Sequence, residues 1–259
     1  MKYLSTEMRG NVALIGLNRP EKRNAISDAF VEELDGAVLE AESRAKAGVV
    51  FGVGPHFCAG LDLAEHVKKT PFEGVHGSRQ WHRVFDRIQR GRLPWFSALH
   101  GAVVGGGLEL AASTHVRIAD TTAFFALPEG QRGIFVGGGG SVRAARLMGV
   151  ARMTDLMLTG RSVDAETAEE WNLVQYVVPE GTALDHAVEL AEKAATNAEI
   201  SNYAVINALP RIQDMASDDG LFVESFIASF TATSPEAEER LNAFLSKKAG
   251  KVAKPGSDI

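Results

Sequence analysis

The sequence contains a single cysteine, Cys58, among its 259 residues, so the chain cannot form an intramolecular disulfide. Such cysteine usage is typical of proteins from reducing compartments. No segment approaches the roughly 18 consecutive apolar residues that a membrane-spanning helix needs. The first ten residues also lack the apolar core of a signal peptide. We therefore predict a cytoplasmic protein with no membrane partner.

Positive charge is scarce as well, with 27 Lys and Arg against 33 Asp and Glu, which gives a net charge of -6. Because nucleic-acid binding usually needs a basic face, we predict no nucleic-acid partner. His, Asp and Glu do not pair at metal-ligand spacing, so we predict no metal. The glycine runs fit neither the dinucleotide fingerprint nor a phosphate-binding loop, which would need a lysine after the run.

The order of apolar segments predicts a chain in two parts. Hydrophobic residues make up 45% and charged residues 23%, an ordinary globular composition. Strands alternate with helices up to about residue 178, which predicts an α/β core. The remainder is nearly all helical, and Ser234-Pro235 is a typical helix start. We predict a core over residues 1–195 and a C-terminal helical region over residues 196–259.

Several elements can be predicted locally. The apolar runs Val12–Leu17 and Gly48–Val53 predict buried strands, and Ser27 can cap the helix between them. Phe96–Val104 is predicted as a third strand. Residues 64–80 mix charge, Pro and Gly, and we interpret them as an exposed, adaptable segment.

Two glutamates beside glycine-rich backbone are the main candidates for chemistry. Glu109 follows the run Gly105–Gly107, where a strand is expected to give way to a helix. Glu129 precedes a second run, Gly137–Gly140. Two carboxyl groups in different environments can divide into a general acid and a general base. Main-chain amides at a glycine-rich helix start can bind an oxyanion.

Each of these features also has a purely structural interpretation. The Gly105–Gly107 run could serve close packing between a helix and a strand. Glu109 could be a favourable negative charge in the first turn of a helix, and Glu129 could lie on a surface loop. Only their shared context favours an enzyme that acts on an activated carbonyl compound.

The residues taken together resemble the crotonase superfamily, the enoyl-CoA hydratase/isomerase family, over nearly the whole chain. The resemblance rests on ordered motifs at compatible spacing: Leu17–Ile26, Phe57–Leu63, Gly101–Glu109, Phe125–Glu129, Gly137–Arg143, Leu158–Arg161 and Ala168–Val174.

The resemblance implies a spiral core of ββα repeats and C-terminal helices that assemble homotrimers or hexamers. It also implies an acyl-CoA substrate, with coenzyme A as part of that substrate and no separate cofactor.

By motif position, the resemblance implies that the amides of Leu61 and Gly106 form an oxyanion hole for the thioester oxygen. Glu109 would activate water for attack on C3 of a trans-2-enoyl-CoA, and Glu129 would deliver a proton to C2. The amide of Gly137 would support the second carboxyl group and the water.

Further positions match the strip that binds coenzyme A in the family. They are Arg23, Ala25, Ala59, Asp62, Leu63, Phe244 and Lys247 or its neighbour Lys248. The last two positions would reach the coenzyme A of a neighbouring subunit.

The sequence departs from the family pattern at Leu61, often Ala, and at Val136, often Pro, but neither change removes a proposed catalytic group. Because both glutamates are present, hydration is the favoured reaction. The alternatives are an isomerase, a thioester hydrolase, a hydratase-lyase for aromatic acyl-CoAs and a non-catalytic acyl-CoA-binding protein.

Overall fold

The computed structural model describes residues 1–66 and 69–246. Two compact units divide the chain, Met1–Thr196 and Asn197–Ile259. The division lies one residue from the boundary that the sequence predicts.

The main sheet of the first unit has six strands. They are β1 (Leu4–Arg9), β2 (Val12–Leu17), β3 (Ala47–Gly52), β4 (Trp95–Leu99), β6 (Val116–Asp120) and β9 (Tyr176–Val178), adjacent in the order β1-β2-β3-β4-β6-β9. The β1 and β2 pair is antiparallel, and every other neighbour in this sheet is parallel. The α/β class predicted for the core is confirmed.

A second sheet of three strands holds β5 (Ala102–Val104), β7 (Phe124–Ala126) and β8 (Ser162–Asp164). The prediction of one strand over Phe96–Val104 was wrong, because the chain passes from one sheet to the other inside it. Gly101 makes that passage with φ of 52°. A Cβ on Gly101 would lie 2.2 Å from the carbonyl oxygen of Pro55, so the turn requires glycine.

Helices connect and cover these strands. They are α1 (Asp28–Arg44), α2 (Leu63–His66), α3 (Pro71–Arg90), α4 (Gly106–Ala111), α5 (Gly140–Met148), α6 (Val150–Thr159), α7 (Ala165–Glu170) and α8 (Ala183–Ala195). The predicted cap is confirmed, since the Ser27 hydroxyl accepts a hydrogen bond from the amide of Phe30.

The start of α3 places regular structure inside residues 64–80, which we interpreted as an exposed, adaptable segment. Thr70 and Glu73 form a reciprocal capping box, and Pro71 occupies the first turn. The buried face of the helix begins only at Trp81. Its first turns expose Phe72 and Val75 among glycine and charged residues, so no buried apolar stripe marks where the helix begins.

The inner strands of the main sheet are buried on both faces, and all six residues of β2 are buried. Ala13, Ile15 and Leu17 belong to the larger core cluster, whereas Val12 and Leu14 belong to a second cluster on the opposite face. Small side chains of α8 pack in the second cluster: Ala183, Ala187, Ala191 and Ala195. Strand alternation thus separates two cores.

The second unit consists of α9 (Glu199–Ile212), α10 (Ser217–Ala232) and α11 (Pro235–Leu245). The predicted start of the last helix is confirmed, because the Ser234 hydroxyl accepts the amide of Ala237. Over residues 1–66 and 69–246, no helix has the length and apolar character needed to cross a bilayer.

Candidate active site

The backbone at the start of α4 is brought beside the segment that follows β3. A parallel bridge joins Cys58 to Val103, and another joins Ile26 to Leu61. Gly105 adopts φ of 54° and turns the chain into α4, so the amide of Gly106 begins the helix. Amides in the first turn of a helix have no partner within it.

The amides of Leu61 and Gly106 lie close together. A Cβ placed on Gly106 would lie 3.6 Å from the amide nitrogen of Leu61. Within residues 1–66 and 69–246, neither amide donates a hydrogen bond to a protein acceptor. Two neighbouring unpaired N–H groups can bind one oxygen atom that gains negative charge.

Glu109 projects from α4 into the protein and is only 3% exposed. Its Oε1 accepts hydrogen bonds from the amides of Gly138 and Gly140, both at 2.8 Å. Burial raises the pKa of Glu109, and the amides of the glycine run oppose that rise. The carboxyl group is therefore buried but has two donors that favour its ionised form.

The glycine run is close to this carboxyl group because it has no side chains. A Cβ on Gly140 would lie 2.9 Å from Cγ and 3.0 Å from Oε1 of Glu109. A larger residue would displace the carboxylate from its two donors.

The role implied for Gly137 needs a correction. The run was expected to support the second carboxyl group, Glu129, but its hydrogen bonds go to Glu109 and come from Gly138 and Gly140. Gly137 lines the cavity described below and contributes to lowering the pKa of Glu109. Family position indicated the right loop, but the fold of that loop determines which amides face which carboxylate.

Glu129 lies immediately before a short 3₁₀ helix, Gly130–Arg132, and is 6% exposed. Its Oε2 is buried without a hydrogen-bond partner in the described part of the chain. Burial raises the pKa of Glu129 to about 7, and the charge of Glu109 acts in the same direction. The surface-loop interpretation of Glu129 is therefore wrong.

Both glutamates line one open cavity with an empty volume of about 580 Å³. Leu61, Gly106 and Gly137 line it as well. The structure thus brings together both predicted carboxyl groups, both predicted oxyanion donors and the second glycine run.

The sequence did not indicate several other residues of this cavity. Asp28 and Lys69 form an ion pair in its wall, and Ser78 and Ile134 also line it. Asp28 and Lys69 are 41 residues apart in the sequence, so no local pattern joins them.

The residues of the strip predicted to bind coenzyme A lie in two segments, one just before α1 and one between β3 and the start of α2. Arg23 is exposed with φ of 50°, and its carbonyl accepts the amide of Ala59 at 2.9 Å. Ala25 and Ala59 are half-buried, and Leu63 is 40% exposed. Asp62 is 8% exposed, and its carboxylate lies 3.2 Å from Nη2 of Arg19.

Asn24 fixes this strip and was not singled out from the sequence. It is fully buried, and its Nδ2 donates to the carbonyl oxygens of Val53 and His56. The sequence could have indicated Asn24, because asparagine tolerates the left-handed backbone conformation that it adopts here with φ of 56°.

The remaining predicted positions lie in or beyond the second unit. Phe244 is on α11 and is 58% exposed. Lys247 and Lys248 lie outside the described residues. Among the residues that are described, no three His, Cys, Asp or Glu side chains cluster as metal ligands would.

Comparison with known proteins identifies the family. Residues 7–252 match the enoyl-CoA hydratase/isomerase family. The 2,3-dehydroadipyl-CoA hydratase of Escherichia coli is 32% identical, with 96% of this chain and 97% of that protein covered. The short-chain-enoyl-CoA hydratase of Clostridium acetobutylicum is 30% identical, with 93% and 94% covered.

Solved structures agree with this result. A protein from Rhodopseudomonas palustris superposes with a TM-score of 0.93 at 47% identity, covering 95% of this chain and 96% of that one. The match extends from the spiral core through the C-terminal helices, which confirms the predicted crotonase-like fold. The chain belongs to the enoyl-CoA hydratase/isomerase family.

Proposed function

We propose that the protein is an enoyl-CoA hydratase, which adds water across the 2,3 double bond of a trans-2-enoyl-CoA. The observation that carries this proposal is the presence of two buried carboxyl groups, Glu109 and Glu129, in one cavity with two unpaired amides. Its relatives named above, which are hydratases of acyl-CoA thioesters, support the same reaction.

The amides of Leu61 and Gly106 are proposed to hold the thioester oxygen. When water attacks C3, charge moves through the conjugated system onto this oxygen and forms an enolate. Donors fixed by the backbone need no reorganisation at that moment, and one such donor typically contributes about 3 kcal/mol to transition-state stabilisation.

The proposed roles of the glutamates follow from their surroundings. Glu109 has two amide donors that favour a carboxylate, so it accepts the proton of the attacking water. The pKa of Glu129 is raised to about 7, so this residue retains a proton near neutral pH and delivers it to C2. The proton left on Glu109 and the one lost by Glu129 exchange with solvent afterwards, and no separate cofactor takes part.

Coenzyme A is proposed to lie along the exposed strip that contains Arg23, Ala25, Ala59, Asp62 and Leu63. Phe244 and Lys247 are proposed to complete the site in a neighbouring subunit. The apolar side chains exposed on α10, Leu221, Phe222, Phe226 and Phe230, support a homotrimer or hexamer, because such a face favours burial against another copy. Light scattering coupled to size exclusion measures this assembly directly.

The test is hydration of crotonyl-CoA and longer enoyl-CoAs, followed as loss of the conjugated thioester absorbance and confirmed by the product mass. We expect turnover by the wild type and almost none by the Glu109→Gln, Glu129→Gln double variant. Equal behaviour of the two proteins on every substrate would refute the proposal. Product without added water would indicate an isomerase, and a released aldehyde would indicate a hydratase-lyase.

A further inference from the structure

One peptide group connects Ser78, on α3, to Glu109. The Ser78 hydroxyl donates to the carbonyl oxygen of Gly137 at 2.7 Å. The amide N–H of the same peptide group belongs to Gly138 and donates to Oε1 of Glu109 at 2.8 Å. Because a peptide group is planar, fixing its carbonyl also fixes the direction of its N–H.

We propose that Ser78 is a positioning residue that holds this peptide group and thereby keeps Glu109 aligned and ionised for its role as the base. The proposal rests on the proposed function for the part that Glu109 plays, and it assigns to Ser78 no contact with the reacting atoms.

The loop needs such an external contact because it consists of four consecutive glycines, Gly137–Gly140. Glycine has the widest choice of backbone conformations, so the loop cannot fix its own peptide orientations. Two side chains supply the contacts. Ser78 bonds the carbonyl of Gly137, and Nη1 of Arg143 bonds the carbonyl of Gly138 at 2.8 Å.

Ser78 is the better of the two for a test. Arg143 carries a charge that acts on Glu109 directly, and Nε of Arg143 also bonds Gln89 at 2.7 Å. Replacing Arg143 would therefore change charge and packing together. Replacing Ser78 by alanine removes one hydroxyl and no charge.

The direction of hydrogen bonding favours the carboxylate. Ser78 has one proton, which goes to Gly137, so its oxygen can only accept from Nε2 of His82, which lies 3.4 Å away. The donors then run in one sense, from His82 through Ser78 and the peptide group to Glu109. Donors aligned in this way polarise one another and stabilise a negative charge at the end.

Other charged groups near this series of hydrogen bonds must be held constant in a test. Burial lowers the pKa of His82, with Arg143 and Arg79 acting in the same direction and the backbone of Gly137 and the charge of Asp86 opposing them. Arg143 and Glu129 also face Glu109 electrostatically. A change at Ser78 replaces none of these side chains, although Ser78→Ala also removes the hydroxyl that lies 3.4 Å from Nε2 of His82.

The experiment compares Ser78→Ala, Ser78→Thr and the wild type in the full-length protein. Loss of the hydroxyl weakens the Gly138 donor, so the pKa of Glu109 should rise and the acid limb of kcat/KM should move to higher pH. We expect kcat to fall about five- to tenfold with KM within about twofold, and Ser78→Thr to restore both kcat and the acid limb. Ser43→Ala removes an exposed hydroxyl that bonds Glu40, and it should change neither quantity.

A second measurement does not depend on turnover. Carbon-13 NMR of labelled glutamate side chains, assigned with Glu109→Gln, reports the titration of Glu109 in each variant. An upward shift in Ser78→Ala that Ser78→Thr reverses supports the proposal. An unchanged titration in a folded Ser78→Ala protein overturns it, even if activity falls. If the titration of Glu109 depends on Ser78 in this way but the wild type hydrates no enoyl-CoA, the proposed function alone is overturned.

Discussion

The surroundings of the two glutamates differ in a way that their identical side chains do not indicate. Glu109 projects from a helix and has two amide donors on one oxygen, whereas Glu129 lies on a loop and has one buried oxygen with no partner among the described residues. Both are nearly inaccessible, at 3% and 6% exposure. Burial raises the pKa of both groups, and the amides of the glycine run oppose that rise only at Glu109, so burial alone does not set the proton affinity of either one.

The strongest test of this contrast removes the base. Glu109→Gln should lower kcat about a thousandfold, because a positioned general base contributes about 10² to 10⁴ to the rate. KM should change little, since the oxyanion donors stay in the backbone. Steady-state kinetics with crotonyl-CoA measures both constants. A loss confined to KM would contradict the assignment of Glu109 as the base.

The second test removes the acid. Glu129→Gln should lower kcat about a hundredfold and abolish the alkaline limb of the pH profile, which in the wild type should fall near pH 7 as Glu129 ionises. The two carboxyl groups interact, so the limbs report the pair. A variant that kept the alkaline limb would show that another group supplies the proton.

The third test disturbs the donors while leaving both glutamates in place. In Gly140→Ala the added methyl group would press on Cγ and Oε1 of Glu109, and we expect kcat to fall about tenfold. Gly36→Ala is the matched control, because no atom lies within 4 Å of its added Cβ on α1. The control should keep full activity and gain up to about 1 kcal/mol of stability. Equal kinetic constants for the two variants would mean that the glycine run does not influence the activity of Glu109.

The smallest expected effect is on stability. The folded state raises the pKa of Glu129 from 4.5 to about 7, so the native protein binds more protons than the unfolded chain between these values. Its unfolding free energy therefore decreases as pH rises through this window.

Glu129→Gln removes this penalty. It should stabilise the protein by about 1 kcal/mol at pH 8, since a carboxyl group that lines an open cavity retains part of its hydration. Near pH 4 the difference should disappear. Chemical denaturation at the two pH values measures it, and an equal change at both would mean that ionisation of Glu129 is not the cause.

The sequence predicted elements whose signals are local. Ser27 and Ser234 cap helices as expected, and Val12–Leu17 forms a buried strand. The strand break at Gly101 was missed, because apolar residues on both sides conceal a change of sheet. The start of α3 was missed because its first turns are exposed and contain glycines, so they lack a buried apolar stripe.

The site shows the same limit. Motif positions placed both glutamates, Leu61 and Gly106 correctly in one cavity. They did not indicate that Gly138 and Gly140 face Glu109, or that Ser78 bonds Gly137. Those contacts join segments about 30 to 60 residues apart, and only the packing of α3 against the glycine run determines them.

The location of the proposed oxyanion donors in the main chain has a consequence for how such proteins diverge. Apart from proline, no residue at position 61 removes this N–H, so the proposed charge stabilisation survives most mutations that this cavity accumulates. The carboxyl groups and the side chains of the cavity wall, by contrast, can each be lost by a single substitution. A descendant that lost one glutamate would keep its capacity to polarise a thioester, and selection could then act on the reaction without rebuilding the fold.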